Sequence, residues 1–227
     1  NLVPGHFFVG TVYGSPDYYH SESDYYSGVG LPSAQNAFVN PFSGSAIAAF
    51  STYSAALPEG FPPEAADFLI DYREYISSEL LSELTVGESY NLSFWLTNGE
   101  DEWCCVAGTN HIGIHFSESP LSQADHEPIN IAPLLEIEGE IWETSWKNYN
   151  FTFTADQPYK FITIGNFYPD EDISYTVEID SPVPLHWGYY FIDKIELINS
   201  SVSGFNDNEN THKSLLKTLD ILGRKTI

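Results

Sequence analysis

The chain has 227 residues, 42% of them apolar, and a formal net charge of −24. That length supports one sizeable core, and the apolar content excludes an intrinsically disordered chain. No apolar run is long enough for a membrane-spanning helix, and the negative charge repels nucleic acid and anionic membranes, so we expect neither as a partner.

The predicted elements are strands, because apolar and polar residues alternate with a period of two along most of the chain. In chain order the predicted strands cover residues 46–53, 73–80, 90–97, 111–116, 149–154, 159–167 and 189–198. Residues 67–84 have a helix-like composition, but we interpret them as a loop or short helix followed by a strand from Arg73. The aromatic and Gly/Ser-rich stretch 13–40 is predicted to be a loop region.

Eight or more short strands with Pro and Gly between them, and little helix, predict an all-β fold. The expected architecture is a two-sheet antiparallel β-sandwich of the jelly-roll kind over residues 1–200.

The end of the chain differs from the rest in charge. Residues 1–212 hold 31 of the 32 acidic side chains, whereas residues 213–227 hold four of the eight basic ones. The polar stretch 201–212 is typical of a linker. We therefore predict that 213–227 is a separate C-terminal segment.

The two cysteines are adjacent, at Cys104 and Cys105, so an ordinary disulfide framework within one chain is excluded. Two free thiols on opposite faces of a strand, or a strained vicinal disulfide, remain as alternatives. Neither residue has the spacing of a metal ligand.

Several motifs occur together in a fixed order. They are "NLVP" at 1–4, "YREYI" at 72–76, "SYNLSFWLT" at 89–97, "HIGIHFS" at 111–117, "ITIGNF" at 162–167 and "YYFIDKIEL" at 189–197. The chain resembles in this the secreted surface domains of Bacteroidota that begin "NLVPNGSFE" and end "YYIDDV". Those domains look like galactose-binding and carbohydrate-binding-module jelly rolls, so the resemblance implies that fold over residues 1–198.

The tail carries a second resemblance. "LLKTLDILGRKT" in residues 215–226 is similar to the beginning of the C-terminal sorting signal of type IX secretion substrates, whose core reads like "KVVDILGRET". The resemblance implies a secreted or cell-surface protein with a truncated sorting segment. The alternative is an amphipathic segment that packs on the body through Leu215, Leu219 and Leu222.

One acidic residue lies in an apolar strand. Alternation directs five residues of the last strand to the core: Tyr189, Phe191, Asp193, Ile195 and Leu197. A lone carboxylate there needs a hydrogen-bonding partner or a cation. The resemblance implies a structural calcium ligand at Asp193, although the family's other two acidic residues are Val9 and Lys194 here. Hydrogen bonds to turn amides, or to Arg73, are the alternative.

Aromatic residues are the predicted ligand-binding groups, because sugar C–H faces stack on rings while polar neighbours bind the hydroxyls. The expected residues are Tyr18, Tyr19, Tyr25, Tyr26, Trp95 and Trp187. For any single ring, packing in the core is the alternative.

The function predicted from these observations is a non-catalytic, secreted or cell-surface binding module for a polysaccharide or glycan. A self-assembling surface, fibre or adhesin subunit is the alternative. A glycoside hydrolase comes third, because no nucleophile elbow, phosphate loop or His-Glu-x-x-His motif is present. Paired catalytic carboxylates are recognised only by their separation in the fold.

Overall fold

The computed structural model describes residues 6–9, 16–23, 30–34, 37–54, 69–100, 107–178 and 187–200. Tyr25, Tyr26, Cys104, Cys105 and the segment 201–227 lie outside the described residues, so the predictions that concern them stay predictions. Within the described ranges no helix has the length and hydropathy needed to cross a bilayer.

The described residues form twelve strands and one 3-10 turn, Asp170–Asp172. The strands are β1 (His6–Val9), β2 (Asp17–His20), β3 (Ala46–Ser54), β4 (Tyr75–Glu79), β5 (Ser89–Thr97), β6 (Ala107–Thr109), β7 (Ile112–Ser117), β8 (Leu135–Glu136), β9 (Lys147–Thr154), β10 (Phe161–Asn166), β11 (Tyr175–Val177) and β12 (Trp187–Asn199).

Two five-stranded antiparallel sheets pack face to face, which confirms the predicted all-β sandwich. Sheet A has the order β1-β4-β10-β7-β8, and sheet B has the order β2-β3-β12-β5-β9. A small third ladder joins β6 to β11. The non-sequential order means that most neighbouring strands are distant in sequence.

The core lies between the sheets and is built by the predicted alternation. In β5, Tyr90, Leu92, Phe94 and Leu96 are at most 4% exposed. The residues between them, including Trp95, face the other side of the sheet and are less buried. Each fully buried side chain of this size contributes about 1.5–3 kcal/mol to folding, so the alternation fixes which face of β5 points to solvent.

The structure differs from the sequence prediction near the N-terminus of the fold. Residues 17–20 form β2, which pairs with β3, although the stretch 13–40 reads as a loop. The strand is only four residues long and places two tyrosines side by side, so no alternation marks it. The helix-like stretch 67–84 contains β4 instead of a long helix, as interpreted from the sequence.

The sequence prediction of which β12 residues face the core is wrong for the first half of the strand. Tyr190 and Ile192 pack between the sheets, whereas Tyr189 and Phe191 lie on the outer face of sheet B. The register shifts between Asp193 and Glu196, where Lys194 has a φ of 50°. Such a bulge inserts an extra residue and reverses the facing of everything beyond it. The core positions predicted for the second half, Ile195 and Leu197, are therefore confirmed.

The outer face of sheet B is covered on one half only. Over β2, β3 and the first half of β12, the segment that includes Leu31, Ala37 and Val39 packs onto an apolar cluster with Tyr19 and Phe191. The described residues leave the outer face of β5 and β9 uncovered by such a cluster. We call this uncovered part the open face, and the candidate site lies on it.

Candidate functional site

The open face carries a ladder of short polar side chains. Antiparallel pairing places Asn91 opposite Thr152, Ser93 opposite Asn150, and Trp95 opposite Asn148. We call the five polar residues of this set the polar ladder: Asn91, Ser93, Asn148, Asn150 and Thr152. Their position follows from the period of two, since each lies between residues that turn towards the core.

The polar ladder is ordered by its own hydrogen bonds. The Thr152 hydroxyl donates to Asn91 Oδ1 at 2.8 Å, and Asn148 Nδ2 donates to the Phe94 carbonyl at 3.2 Å. Asn150 Nδ2 donates to Asn148 Oδ1. Each amide side chain offers two donors and two acceptor lone pairs. These contacts use only one or two positions of each amide, so the others are available to a ligand.

A group of three aromatic rings meets the polar ladder at Trp95 and reaches the covered half of the sheet at Trp146. The Phe42 ring stacks on Trp95 with centroids 3.8 Å apart and an interplanar angle of 16°. Trp146 meets Phe42 edge to face at 6.4 Å, and its indole N–H donates to the Asn40 carbonyl at 2.8 Å. We call Phe42, Trp95 and Trp146 the aromatic patch. Phe42 is 37% exposed, so the patch presents apolar surface to solvent.

Asp193 holds the turn that carries Phe42. Its Oδ2 accepts a hydrogen bond from the Ser43 backbone N–H at 2.7 Å, and its Oδ1 accepts one from the Lys194 N–H at 2.7 Å. The Lys194 ammonium lies 5.7 Å from the centroid of the Phe42 ring. Asp193 therefore has the turn-amide partners that the sequence analysis gave as its alternative role.

Calcium would need about six to eight oxygen ligands, and the described residues contain no group of three or more His, Cys, Asp or Glu side chains arranged to hold a metal. Two backbone N–H groups, those of Ser43 and Lys194, donate to the Asp193 carboxylate, and such donors are not ligands of a cation. The calcium ligand implied by resemblance stays a prediction without support from this geometry.

Asp193→Ala is expected to disturb the aromatic patch more than the fold. The change leaves the Ser43 and Lys194 amides without their acceptor, which costs about 1–3 kcal/mol and frees Phe42 from Trp95. The tryptophan emission should shift to longer wavelength in the folded protein as Trp95 becomes wetter. Asp193→Asn keeps one side-chain oxygen that can accept from a backbone N–H, so it is the control and should shift the emission less. If neither variant shifts the emission, Asp193 does not hold Phe42 against Trp95.

A small pocket of about 170 Å³ opens beside the aromatic patch. Residues 38–41 form one wall, residues 144–146 form another, and Thr97 and Glu100 lie between them. Trp146 belongs to both the pocket and the patch. The volume is below the range of about 300–1,000 Å³ of drug-sized ligand pockets, so the pocket accepts one small group such as a single sugar ring.

The polar ladder and the aromatic patch are uncharged although the chain is strongly acidic. Neither the polar ladder nor the aromatic patch contains an ionisable side chain. Glu196 of β12 lies directly opposite Ser93 of the polar ladder, and Glu100 lines the neighbouring pocket. Lys194 and an ion pair between Lys147 and Glu143 lie at the borders. Neutral hydrogen-bonding groups therefore dominate the chemistry of this surface.

The structure separates the residues that the sequence grouped as ligand-binding. Trp95 projects from the polar side of β5 as predicted, and it lies in the aromatic patch. Tyr18 is 37% exposed on β2, which is three strand spacings, about 14 Å, away from β5 in sheet B. Tyr19 is 1% exposed and hydrogen-bonded to Tyr189, so it packs instead of facing a ligand. Trp187 is partly buried against the covered half of the outer face.

Sequence reasoning missed Phe42, Trp146 and the polar ladder as parts of one surface. Phe42 and Trp95 come together only because β3, β12 and β5 are neighbours in sheet B. A local signal for Phe42 existed, since an aromatic residue in the turn-forming stretch "NPFSG" has no strand face on which to pack. The alternating Asn and Thr residues of β9 were a second such signal.

A separate group of acidic and tyrosine side chains is buried near the start of β4. Glu74 is 6% exposed; its Oε1 accepts from the Tyr72 hydroxyl and its Oε2 from the Ser51 N–H, both at 2.8 Å. Burial raises the pKa of Glu74 to about 7 against the lowering effect of these hydrogen bonds. Burial also raises the pKa of Asp17, whose Oδ2 accepts from the Tyr189 hydroxyl at 2.5 Å.

The Glu74 carboxyl does not face an open cleft, because both of its oxygens are hydrogen-bonded inside the protein. A glycosidase acid or nucleophile must reach a bound sugar, so we assign Glu74 a structural role.

No protein-family model and no curated protein matches the chain. Among solved structures, it is similar to the CBM22-1 and GH10 modules of endo-1,4-β-D-xylanase 10B from Clostridium thermocellum, complexed with xylohexaose, at 12% identity and a TM-score of 0.36. That alignment covers 75% of this chain and 24% of that one, so this chain spans about a quarter of that relative's length. It is also similar to the K3 cleaved adhesin domain of Lys-gingipain from Porphyromonas gingivalis w83, at 12% identity and a TM-score of 0.32, over 80% of this chain and 90% of that one. Neither likeness bears on which residues of this chain bind a ligand.

Proposed function

We propose that this chain is a non-catalytic binding module that takes a neutral polysaccharide on the open face of sheet B. The observation that carries the proposal is the contiguity of the aromatic patch with the polar ladder, neither of which contains an ionisable side chain. The sorting-signal resemblance of the tail supports a place outside the cell or on the cell surface.

The two parts of the face match the two faces of a sugar. The rings of the aromatic patch offer apolar surface to the C–H groups of a pyranose, and such stacking is worth about 0.5–1.5 kcal/mol beyond area burial for aromatic pairs. The amides and hydroxyls of the polar ladder donate to and accept from the sugar hydroxyls. The pocket beside Trp146 is large enough for one sugar ring, such as a chain end or a branch.

The charge distribution favours a neutral ligand over an acidic one. The chain carries a net −24, so an anionic polysaccharide is repelled before it reaches the site. The open face itself lacks basic residues except at its borders, where Lys194 and Lys147 already have partners. Uncharged hexose or pentose polymers meet neither obstacle.

Electrophoresis of the whole chain through gels that contain neutral polysaccharides is expected to show retardation on at least one of them, and none on polygalacturonate. Trp95→Ala should weaken that binding at least about tenfold, because it removes the ring of the patch that lies beside the polar ladder. Tyr18→Ala, which removes another exposed ring of sheet B, is the matched control and should bind as the unmodified chain does.

Circular dichroism and a thermal melt must show that Trp95→Ala is folded, so that lost binding reports the site. A chain that passes unretarded through every neutral gel, or a Trp95→Ala variant that binds normally, would overturn the proposal. Loss of binding in Tyr18→Ala alone would move the site to β2.

A further inference from the structure

No strand of the described part of the chain pairs with the outer edge of β9, the edge strand of sheet B. β9 pairs with β5 on one side, and no backbone hydrogen bond joins its other side to any described residue. Residues 148–154 contain no charge, proline or glycine. Natural sheets protect long edges with charges, prolines, bulges or a covering segment, because bare edges pair with other chains.

The backbone pairing of β9 with β5 shows which N–H and C=O groups of β9 point away from the sheet. Just beyond β9, the Ala155 N–H donates to the Glu88 carbonyl at 2.9 Å, which fixes the phase of the alternation. In an antiparallel pair, every second residue bonds to the neighbour and the others point away. The N–H and C=O groups of Asn148, Asn150, Thr152 and Thr154 therefore point to solvent.

We propose that two copies of this chain pair through β9, antiparallel and about a two-fold axis. Asn148 then lies opposite the partner's Thr154, and Asn150 lies opposite the partner's Thr152. This register satisfies all four outward residues of each copy. Phe151 falls on the axis and meets the partner's Phe151 on the core side of the joined sheet.

Packing and charge both favour a second copy as the occupant. Phe151 and Tyr149 are only partly buried against the core cluster, so pairing covers ring surface that one copy leaves exposed. Two chains of net −24 repel each other over most of their surface. The paired residues 148–154 carry no charge, and Lys147 comes beside the partner's Ala155 and Asp156.

The pairing rests on the edge alone and does not require the proposed glycan site. If both hold, the two open faces become one continuous four-stranded surface within a ten-stranded sheet, which would bind a long polymer more tightly through two linked sites.

Sedimentation of the whole chain over a range of concentrations should show a monomer–dimer equilibrium. Thr152→Pro removes one outward N–H from each copy and should raise the dimer Kd at least about tenfold. Thr152→Ala loses the same hydroxyl but keeps the N–H, so it is the matched control and should dimerise normally. A monomer at all concentrations, or equal dimerisation of both variants, would overturn the proposal.

Disulfide trapping tests the register without a proline. Residues that face each other across a non-hydrogen-bonded antiparallel pair have Cα atoms about 4.5 Å apart, within disulfide range. In a background with Cys104→Ser and Cys105→Ser, Phe151→Cys should form a covalent dimer on mild oxidation. Tyr149→Cys, on the same face of the same strand, lies opposite the partner's Phe153 and should not. Equal crosslinking of the two variants, or none, would contradict pairing in this register.

Discussion

Asp170→Ala is expected to lower the free energy of unfolding by about 3 kcal/mol, because it leaves a buried guanidinium without its carboxylate. Arg73 is 0% exposed, and its Nη2 lies 2.8 Å from Asp170 Oδ1. Its other described partners are backbone carbonyls, those of Tyr72 and Tyr168, which carry no full charge. Breaking one partner of a buried pair costs about 3–5 kcal/mol, and the 26% exposure of Asp170 places this case at the lower end.

The measurement is a thermal or urea unfolding curve of each variant. For a chain of this size, about 3 kcal/mol corresponds to a fall in Tm of roughly 6–12 °C. Glu171→Ala is the matched control, since it removes an equal charge from the same turn at an exposed position. If the unfolding free energies of Asp170→Ala and Glu171→Ala both lie within about 1 kcal/mol of that of the unmodified chain, the ion pair between Arg73 and Asp170 does not stabilise the fold in this way.

Glu74→Gln is expected to stabilise the protein at alkaline pH by up to about 3 kcal/mol and to give no such gain in acid. The pKa of Glu74 is about 7 in the fold against an ordinary value of 4.5. Below about pH 4.5 the carboxyl is protonated in both the folded and the unfolded chain. As the pH rises towards about 7, the unfolded chain releases the proton first, so stability is lost over this window. Glutamine has no proton to release and is spared this loss.

Unfolding free energies of the two proteins between about pH 5 and about pH 8 test this directly. The advantage of Glu74→Gln should grow across that range, and Asp17, whose pKa is also raised, adds a slope in the same direction to both proteins. Glu79→Gln, at an exposed position of the same strand, should show no growing advantage. A constant difference across the pH range would mean that Glu74 ionises as freely in the fold as in the unfolded chain.

The sequence contained enough information to predict most strands of the fold. Most of β5 and β9 follows the period of two, and the core positions of β5 follow from it. The errors occur where a local backbone feature interrupts the period. The positive φ of Lys194 changes the facing of β12, and a bulge of this kind has no residue signature when the residue is a lysine.

The candidate site was predictable only in part, because it is assembled from segments far apart in the chain. Trp95 could be placed on the polar side of its strand, since Phe94 and Leu96 turn to the core. Its contact with Phe42 depends on the strand order of sheet B, which alternation does not encode. For the same reason the sequence composition placed Tyr18 and Trp95 in one ligand-binding group, although β3 and β12 lie between their strands in sheet B.

The measurement that tests the central proposal most directly is a titration of the ¹⁵N-labelled chain with neutral oligosaccharides, followed through the indole N–H signals of its five tryptophans. Binding on the open face should move the signals of Trp95 and Trp146 and leave that of Trp187 in place. Assignment by single Trp→Phe variants makes the comparison unambiguous. Indole signals that stay unmoved, or a shift confined to Trp187, would contradict a polysaccharide site on the open face.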